Sequence, residues 1–240
     1  MQPIKDFFSL FLSNIIQKLF GLIREPIIAY FFGSSLVYSS YLLLRTGADL
    51  LSQLTQGESI RAGMLPKLTK IYNKYNLVSL QGVSFFSKRI MLFLFVISQL
   101  FQSAIILYLD TEYAGILFCL SFLLSIILCY NFFNTIFLTI IQAQGDFFRF
   151  SVVSILNPLI GVIFIYPLTI LWSIIGLVLS RLIGILSLTF GYILPMIRNS
   201  NGYKIELKKE DFNIPILFIG NFANIIIICT RFIACSFNYY

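Results

Sequence analysis

The chain has 240 residues, of which 58% are hydrophobic and 11% charged, and its formal net charge is +7. Ordinary soluble domains carry roughly 25% charged residues. This composition and its long apolar runs therefore exclude a soluble domain and indicate a membrane protein. The positive charge does not indicate nucleic-acid binding, because the cations are spread over loops and apolar segments and are not gathered with aromatic residues on one face.

Seven apolar stretches are long enough to cross a bilayer, at about 20 residues for each crossing. We therefore predict an all-α integral membrane protein with seven membrane helices. The predicted helices are residues 7–32, 36–63, 83–109, 114–143, 150–170, 173–195 and 213–236.

The connections between these stretches alternate in charge. One set is free of cations and includes the turn at 33–35 and the acidic segment 110–112. By the positive-inside rule, the opposite set is cytoplasmic, so we predict a cytoplasmic N-terminus. That set holds eleven cations, which are Lys5, Lys67, Lys70, Lys74, Lys88, Arg89, Arg149, Arg198, Lys204, Lys208 and Lys209.

The first stretch carries charge at membrane depth, where charge is energetically costly and by default marks a substrate or ion path. Lys18 and Glu25 are seven residues apart and share nearly one helix face, so Glu25 partly neutralises Lys18. Arg24 is then the less compensated cation. Pro26 should bend or break the helix and is a candidate gate hinge. The competing interpretation is a local ion pair with snorkelling side chains near the helix end.

The second stretch has a polar ridge. Arg45 and Asp49 are four residues apart and face the same way, and Gln53 and Gln56 continue that face. A ridge of this kind points toward the bundle interior or a wet cavity, although Arg45 and Asp49 also fit a self-compensated pair that fixes helix packing. Arg61 lies where the helix leaves the membrane and fits either a cavity cation or an interfacial arginine.

Two cations lie in later stretches. Arg181 is a candidate to point into the bundle, whereas Arg231 lies close to the outer end and fits a snorkelling side chain. Asn131 and Asn134, in the fourth stretch, fit interhelical hydrogen-bond partners better than ligands.

Enzymatic chemistry is not predicted. The chain has no histidine, the commonest general base and metal ligand. It also lacks a phosphate-cradling glycine loop with a lysine, and its four cysteines lack metal-ligand spacing. We therefore expect no cofactor and no metal.

The N-terminal motif resembles that of a known family. Residues 19–25 read LFGLIRE and residues 29–33 read AYFFG, which looks like the opening of the MurJ/MviN family of lipid II flippases, within the multidrug/oligosaccharidyl-lipid/polysaccharide exporter superfamily. Lys18 stands where that family has its leading arginine. Further similar segments are residues 56–66, 142–158 and 184–195.

The resemblance covers the N-terminal half of a family member, which has about fourteen helices in two lobes. It implies a six-helix transporter lobe at 1–198, a basic cytoplasmic loop at 199–212, and a seventh helix at 213–240 that begins a second lobe. The expected location is the bacterial inner membrane, among membrane lipids. The chain would then work beside a second lobe or as a half-transporter.

The function implied by the resemblance is transport without enzymatic chemistry. The protein would flip an undecaprenyl-pyrophosphate-linked sugar precursor, similar to lipid II, for peptidoglycan synthesis and cell shape, by alternating access around a cationic cavity. Arg24 would be the main cation for the pyrophosphate, with Lys18 in support and help from Arg45 or Arg61. The acidic residues Glu25 and Asp49 would then be charge partners or coupling groups.

Three other functions remain open at this level. One is a polysaccharide-unit flippase of the same superfamily. Another is an ion-coupled drug exporter, which needs an acidic cation site, for which Asp49 is the candidate. The last is an inactive, truncated half-transporter.

Overall fold

The computed structural model describes residues 2–33, 35–55, 58–75, 78–109 and 112–204, without the side chains of 2–6, 53–63, 78 and 203–204. Within these ranges the protein is all-α apart from one pair of two-residue strands. The long helices are α1 (Gln2–Phe32), α2 (Leu36–Thr55), α3 (Glu58–Lys74), α4 (Gln81–Leu109), α5 (Ala114–Ala143) and α6 (Phe147–Leu188). A π-helical turn (Thr189–Ile193), α7 (Leu194–Arg198) and the strands β1 (Val78–Ser79) and β2 (Tyr203–Lys204) complete the order.

Four segments of the described chain are long and apolar enough to cross a membrane, which makes this a multi-pass membrane protein. The last segment has 52 residues, more than twice what one crossing needs. Its backbone leaves the helical conformation at Trp172 and Ser173, so it contains both the fifth and the sixth predicted helices. The four segments are Phe7–Phe32, Gln81–Leu109, Ala114–Ala143 and Phe147–Arg198.

The second predicted span, residues 36–63, is not among the four candidate membrane spans. The structure describes helix α2 as far as Thr55 and helix α3 from Glu58 onward, and residues 56 and 57 lie outside the described part. The polar ridge of α2 lowers its hydropathy. The seventh predicted helix, including Arg231, lies outside the described residues.

Helix α5 occupies the centre of the bundle and packs against α2, α3, α4 and α6. It is predominantly apolar and has the largest buried share of the four candidate spans, as expected of a central helix. Helix α1 is peripheral and packs chiefly along α6. Many apolar side chains on its outer face, such as Phe11 and Leu22, are exposed, as suits a lipid-facing surface or a further protein surface.

Polar side chains join α4 to α5 inside the bundle. The Ser98 and Ser125 hydroxyls are 3.0 Å apart, and the Gln102 amide donates to Ser98 at 2.8 Å. The Gln99 amide donates to Ser121 at 3.1 Å. Interhelical hydrogen bonds in membrane proteins are worth about 0.6 kcal/mol each, so this network fixes the pairing of the two helices more than it stabilises the fold.

Helix α6 is a hairpin whose arms, residues 147–171 and 174–188, pack closely together. A Cβ on Gly176 would overlap the Leu168 carbonyl, and a Cβ on Gly184 would lie 2.6 Å from the Asn157 carbonyl oxygen. Only glycine permits this approach of two backbones. The hairpin turns at Ser173, whose φ of 51° and ψ of −128° suit glycine.

Ser173→Gly is therefore expected to raise the free energy of unfolding by about 1 kcal/mol, because a left-handed φ is strained for a residue with a Cβ. Denaturant titration of the detergent-solubilised protein measures this. Ser187→Gly, in the helical second arm, is the matched control and should lose about 0.5 kcal/mol. A loss of stability in Ser173→Gly would contradict the strained turn.

The basic segments meet at one end of the bundle. The Gln144 amide, after α5, donates to the Tyr72 hydroxyl of α3 at 3.0 Å. The Leu80 amide, before α4, donates to the Ser200 hydroxyl after α7 at 3.0 Å. Strands β1 and β2 pair in parallel beside this contact. These contacts bring connections of the basic set together at one end of the bundle, and their cytoplasmic location stays a prediction.

Candidate functional site

Three arginines and one aspartate from three helices form a charged cluster inside the bundle. Arg24 comes from α1, Arg45 and Asp49 from α2, and Arg181 from the second arm of α6. Together they carry a formal excess of two positive charges. We call this set the cationic cluster.

Asp49 is shared between two arginines. Its Oδ2 lies 3.6 Å from Arg45 Nε and its Oδ1 lies 3.8 Å from Arg181 Nη2. The Asp49 side chain is 40% exposed, so each pair contributes little to stability. The bridge nevertheless links α2 to α6 and gives both arginines a counter-ion.

Arg24 has no such partner. Its Nε and Nη2 atoms are buried and make no hydrogen bond within the described structure. Arg181 and Arg45 repel its charge. Leaving a buried charged donor unpaired costs at least about 1–3 kcal/mol. A hydrogen-bond acceptor close to these two N–H groups would therefore be stabilising. An anion between Arg24 and Arg181 would supply it.

A cavity of about 200 Å³ lies beside these two arginines, between α1 and both arms of α6. Pockets for drug-sized ligands usually have about 300–1,000 Å³, so this cavity suits a phosphate-sized group and not a whole lipid-linked sugar. Its lining residues are Gln17, Phe20, Gly21 and Arg24 of α1, Asn157, Pro158, Gly161 and Val162 of the first arm, and Ser180 and Arg181 of the second.

Local sequence explains why the cavity stays open. Gln17 and Arg24 are seven residues apart and so face α6 together, and the Gln17 amide donates to the Ser154 hydroxyl at 3.1 Å. Gly21 lies between them on the same wall. A Cβ on Gly21 would meet nothing within 4 Å, so the missing side chain leaves space beside Arg24.

Lys18 and Glu25 do not belong to this cavity. Both side chains are exposed, and no ion pair joins them in the described structure. Seven residues of helix rise by roughly 10.5 Å, which is too far for the direct neutralisation predicted from the sequence. Glu25 acts electrostatically on Arg24 without bonding to it.

Pro26 does not break α1. The helix continues through this residue to Phe32, so Pro26 does not break it, and the predicted bend and gate hinge stay predictions. One lost backbone hydrogen bond is tolerated where the flanking residues keep helical geometry. The helix ends instead at Gly33, whose φ is +43° and whose amide donates to the Ala29 carbonyl.

The predictions for two further arginines, Arg61 and Arg181, have different outcomes. The backbone of Arg61 lies in α3, but its side chain is outside the described part of the structure, so its predicted role stays a prediction. Arg181 was not assigned to the site by the motif, yet it lines the cavity and pairs with Asp49. The only sequence signal for it was a cation within an apolar stretch.

The described residues contain no group of three or more His, Cys, Asp or Glu side chains that could hold a metal ion. Asp49 is the carboxylate of the cluster, and both of its oxygens face arginines. The arrangement suits reversible binding of an anion, since the cluster has three cations and one internal carboxylate, which contacts only Arg45 and Arg181.

Comparisons with protein-family models, with curated protein sequences and with solved structures found no match to this chain.

Proposed function

We propose that this protein is a flippase of the MurJ/MviN type, which moves an undecaprenyl-pyrophosphate-linked sugar precursor outward across the bacterial inner membrane. The motif at residues 19–33 supports the family and the substrate class. The observation that carries the proposal is the pair of buried N–H donors of Arg24 that have no partner among the described residues, beside a cavity of phosphate size.

The chemistry is binding and release, with no bond broken in the substrate. An arginine fork donates parallel hydrogen bonds to phosphate oxygens, and such charge-assisted bonds are about twice as strong as neutral ones. Arg24 and Arg181 would hold a phosphate group between α1 and α6. Alternating access would then come from rocking of this lobe against a second one around the bound group.

The cavity selects for a phosphate group but does not select one sugar over another. Its volume of about 200 Å³ leaves the sugar outside the cluster. A polysaccharide-unit flippase uses the same pyrophosphate chemistry and is the second candidate for that reason. The drug exporter is less favoured, because Asp49 already has two arginine partners.

The test is to fill the cavity without touching its charges. Gly21→Leu places a side chain in the open space beside Arg24 and improves helix propensity. We expect at least roughly a tenfold loss of flipping of a fluorescent prenyl-pyrophosphate lipid in proteoliposomes, from the loss of one charge-assisted contact. The full chain is used, with its partner lobe where one co-purifies.

Gly115→Leu is the matched control, since a Cβ on Gly115 also meets nothing within 4 Å but lies outside the cavity. It should flip at the wild-type rate. Full activity in Gly21→Leu would contradict the placement of the phosphate in this cavity.

Asp49→Asn removes the carboxylate that competes with the substrate phosphate. We expect inorganic pyrophosphate to bind the purified protein more tightly, by roughly fivefold, because an ion pair of this exposure is worth up to about 1 kcal/mol. Calorimetric titration measures the change. Weaker binding in Asp49→Asn, or loss of ion-dependent export of a cationic dye, would favour the drug exporter instead.

A further inference from the structure

Two grooves that include residues of α4 lie apart from the cationic cluster, which lines neither of them. The outer groove has a volume of about 650 Å³ and is lined by Gln81 at the start of α4 and by Phe190, Leu194 and Arg198 of the π-helical turn and α7. The inner groove has about 280 Å³ and lies between α4 and α5. The Tyr130 ring, which lines the inner groove, contacts the Phe190 ring at 6.5 Å between centroids.

Each groove carries one cation at the basic end of the bundle. Lys88 lines the inner groove and Arg198 the outer one. Neither has an ion-pair partner within the described structure. Lys88 lies seven residues into α4, roughly 10 Å along the helix from Gln81, a distance that a long lysine side chain can partly span toward a membrane surface.

Below Lys88 the groove is apolar. Its walls are Met91, Leu92 and Phe95 of α4 and Ile126 of α5. Leu92 is 72% exposed, so this surface is open to the bilayer core. A cation above an apolar groove matches a phospholipid, with a phosphate at the top and an acyl chain below.

We propose that these two grooves bind one anionic phospholipid of the surrounding bilayer, with its phosphate between Lys88 and Arg198 and an acyl chain along α4. Charge complementarity selects an anionic lipid over a zwitterionic one. The π-helical turn carries Phe190, which lines the outer groove and whose ring lies beside Tyr130 of the inner one; such turns are frequent at functional sites. This lipid site is independent of the transported substrate.

The test compares two double variants of the full chain, purified and titrated with phosphatidylglycerol by native mass spectrometry. K88Q/R198Q should weaken phosphatidylglycerol binding roughly 30-fold, because each cation near an anionic lipid surface is worth about a factor of five. The matched control K70Q/R89Q removes two exposed cations from the same end that line neither groove, and it should bind as the wild type does.

A third variant tests the groove itself. Met91→Trp fills the apolar part of the inner groove and leaves Lys88 and Arg198 unchanged. It should also weaken phosphatidylglycerol binding. An equal loss in K70Q/R89Q, or equal binding of phosphatidylcholine by the wild type, would overturn the proposal. Displacement of phosphatidylglycerol by a prenyl-pyrophosphate lipid, undiminished in Arg24→Gln, would assign the grooves to the transported lipid and overturn it as well.

Discussion

Arg24→Gln should lower the rate of precursor flipping by roughly 100-fold, because it removes two charge-assisted donors that are each worth about 1.5–3 kcal/mol to a bound anion. The side chain has no protein partner for its buried Nε and Nη2 atoms in the described structure, so its removal should not destabilise the fold. The measurement is flipping of a fluorescent prenyl-pyrophosphate lipid in proteoliposomes, together with the unfolding midpoint.

The control for Arg24→Gln is Arg149→Gln. Arg149 is exposed and pairs with Asp146 at 3.3 Å outside the cavity, so its loss should leave flipping unchanged. Lys18→Gln changes the exposed face of α1 and not the face that lines the cavity. We therefore expect it to lower the flipping rate less than Arg24→Gln does. An equal or larger loss in Lys18→Gln would contradict the cavity between α1 and α6 and place the phosphate on the exposed face.

Gly176→Ala should destabilise the protein by about 3 kcal/mol, the upper part of the usual range for overpacking. The new Cβ would overlap the Leu168 carbonyl, and a backbone atom in the other arm of the hairpin cannot rotate away as a side chain can. Because Arg181 lies on the second arm, opening of the hairpin should also weaken pyrophosphate binding. Denaturant titration and calorimetry of the same preparation measure both effects.

Gly191→Ala is the matched control for the hairpin. A Cβ there meets nothing within 4 Å, so its free energy of unfolding should stay within about 0.5 kcal/mol of the wild type. Wild-type stability in Gly176→Ala would show that the two arms are further apart than the structure places them.

The helices were predictable where the sequence is uniformly apolar. The predicted ranges 83–109 and 114–143 agree closely with α4 and α5, because hydropathy alone decides a long apolar run. The turn at Trp172 and Ser173 lies at the predicted boundary between the helices 150–170 and 173–195, a boundary expected because the segment is too long for one crossing. The predicted span 36–63 is not among the candidate membrane spans, because its polar residues lower its hydropathy.

The site was predictable only in part, and the reason is physical. Arg45 and Asp49 were paired correctly, because neighbours four residues apart meet on any helix. The approach of Arg181 to Asp49 depends on how α6 folds back and packs near α2, and no spacing in the sequence specifies that. The lack of a hydrogen-bond partner for Arg24 among the described residues likewise depends on the tertiary structure. The sequence alone does not show which groups lie within reach of its side chain.

The most direct measurement is photocrosslinking from two adjacent positions of α6. Val162 lines the cavity, whereas Ile163 is 60% exposed on the outer surface. A photoreactive residue is placed at each position in the full chain, in native membranes supplied with radiolabelled prenyl-pyrophosphate precursor. The cavity account predicts labelling at position 162 that inorganic pyrophosphate prevents, and little at 163; equal labelling at both, or labelling at 163 alone, would contradict it.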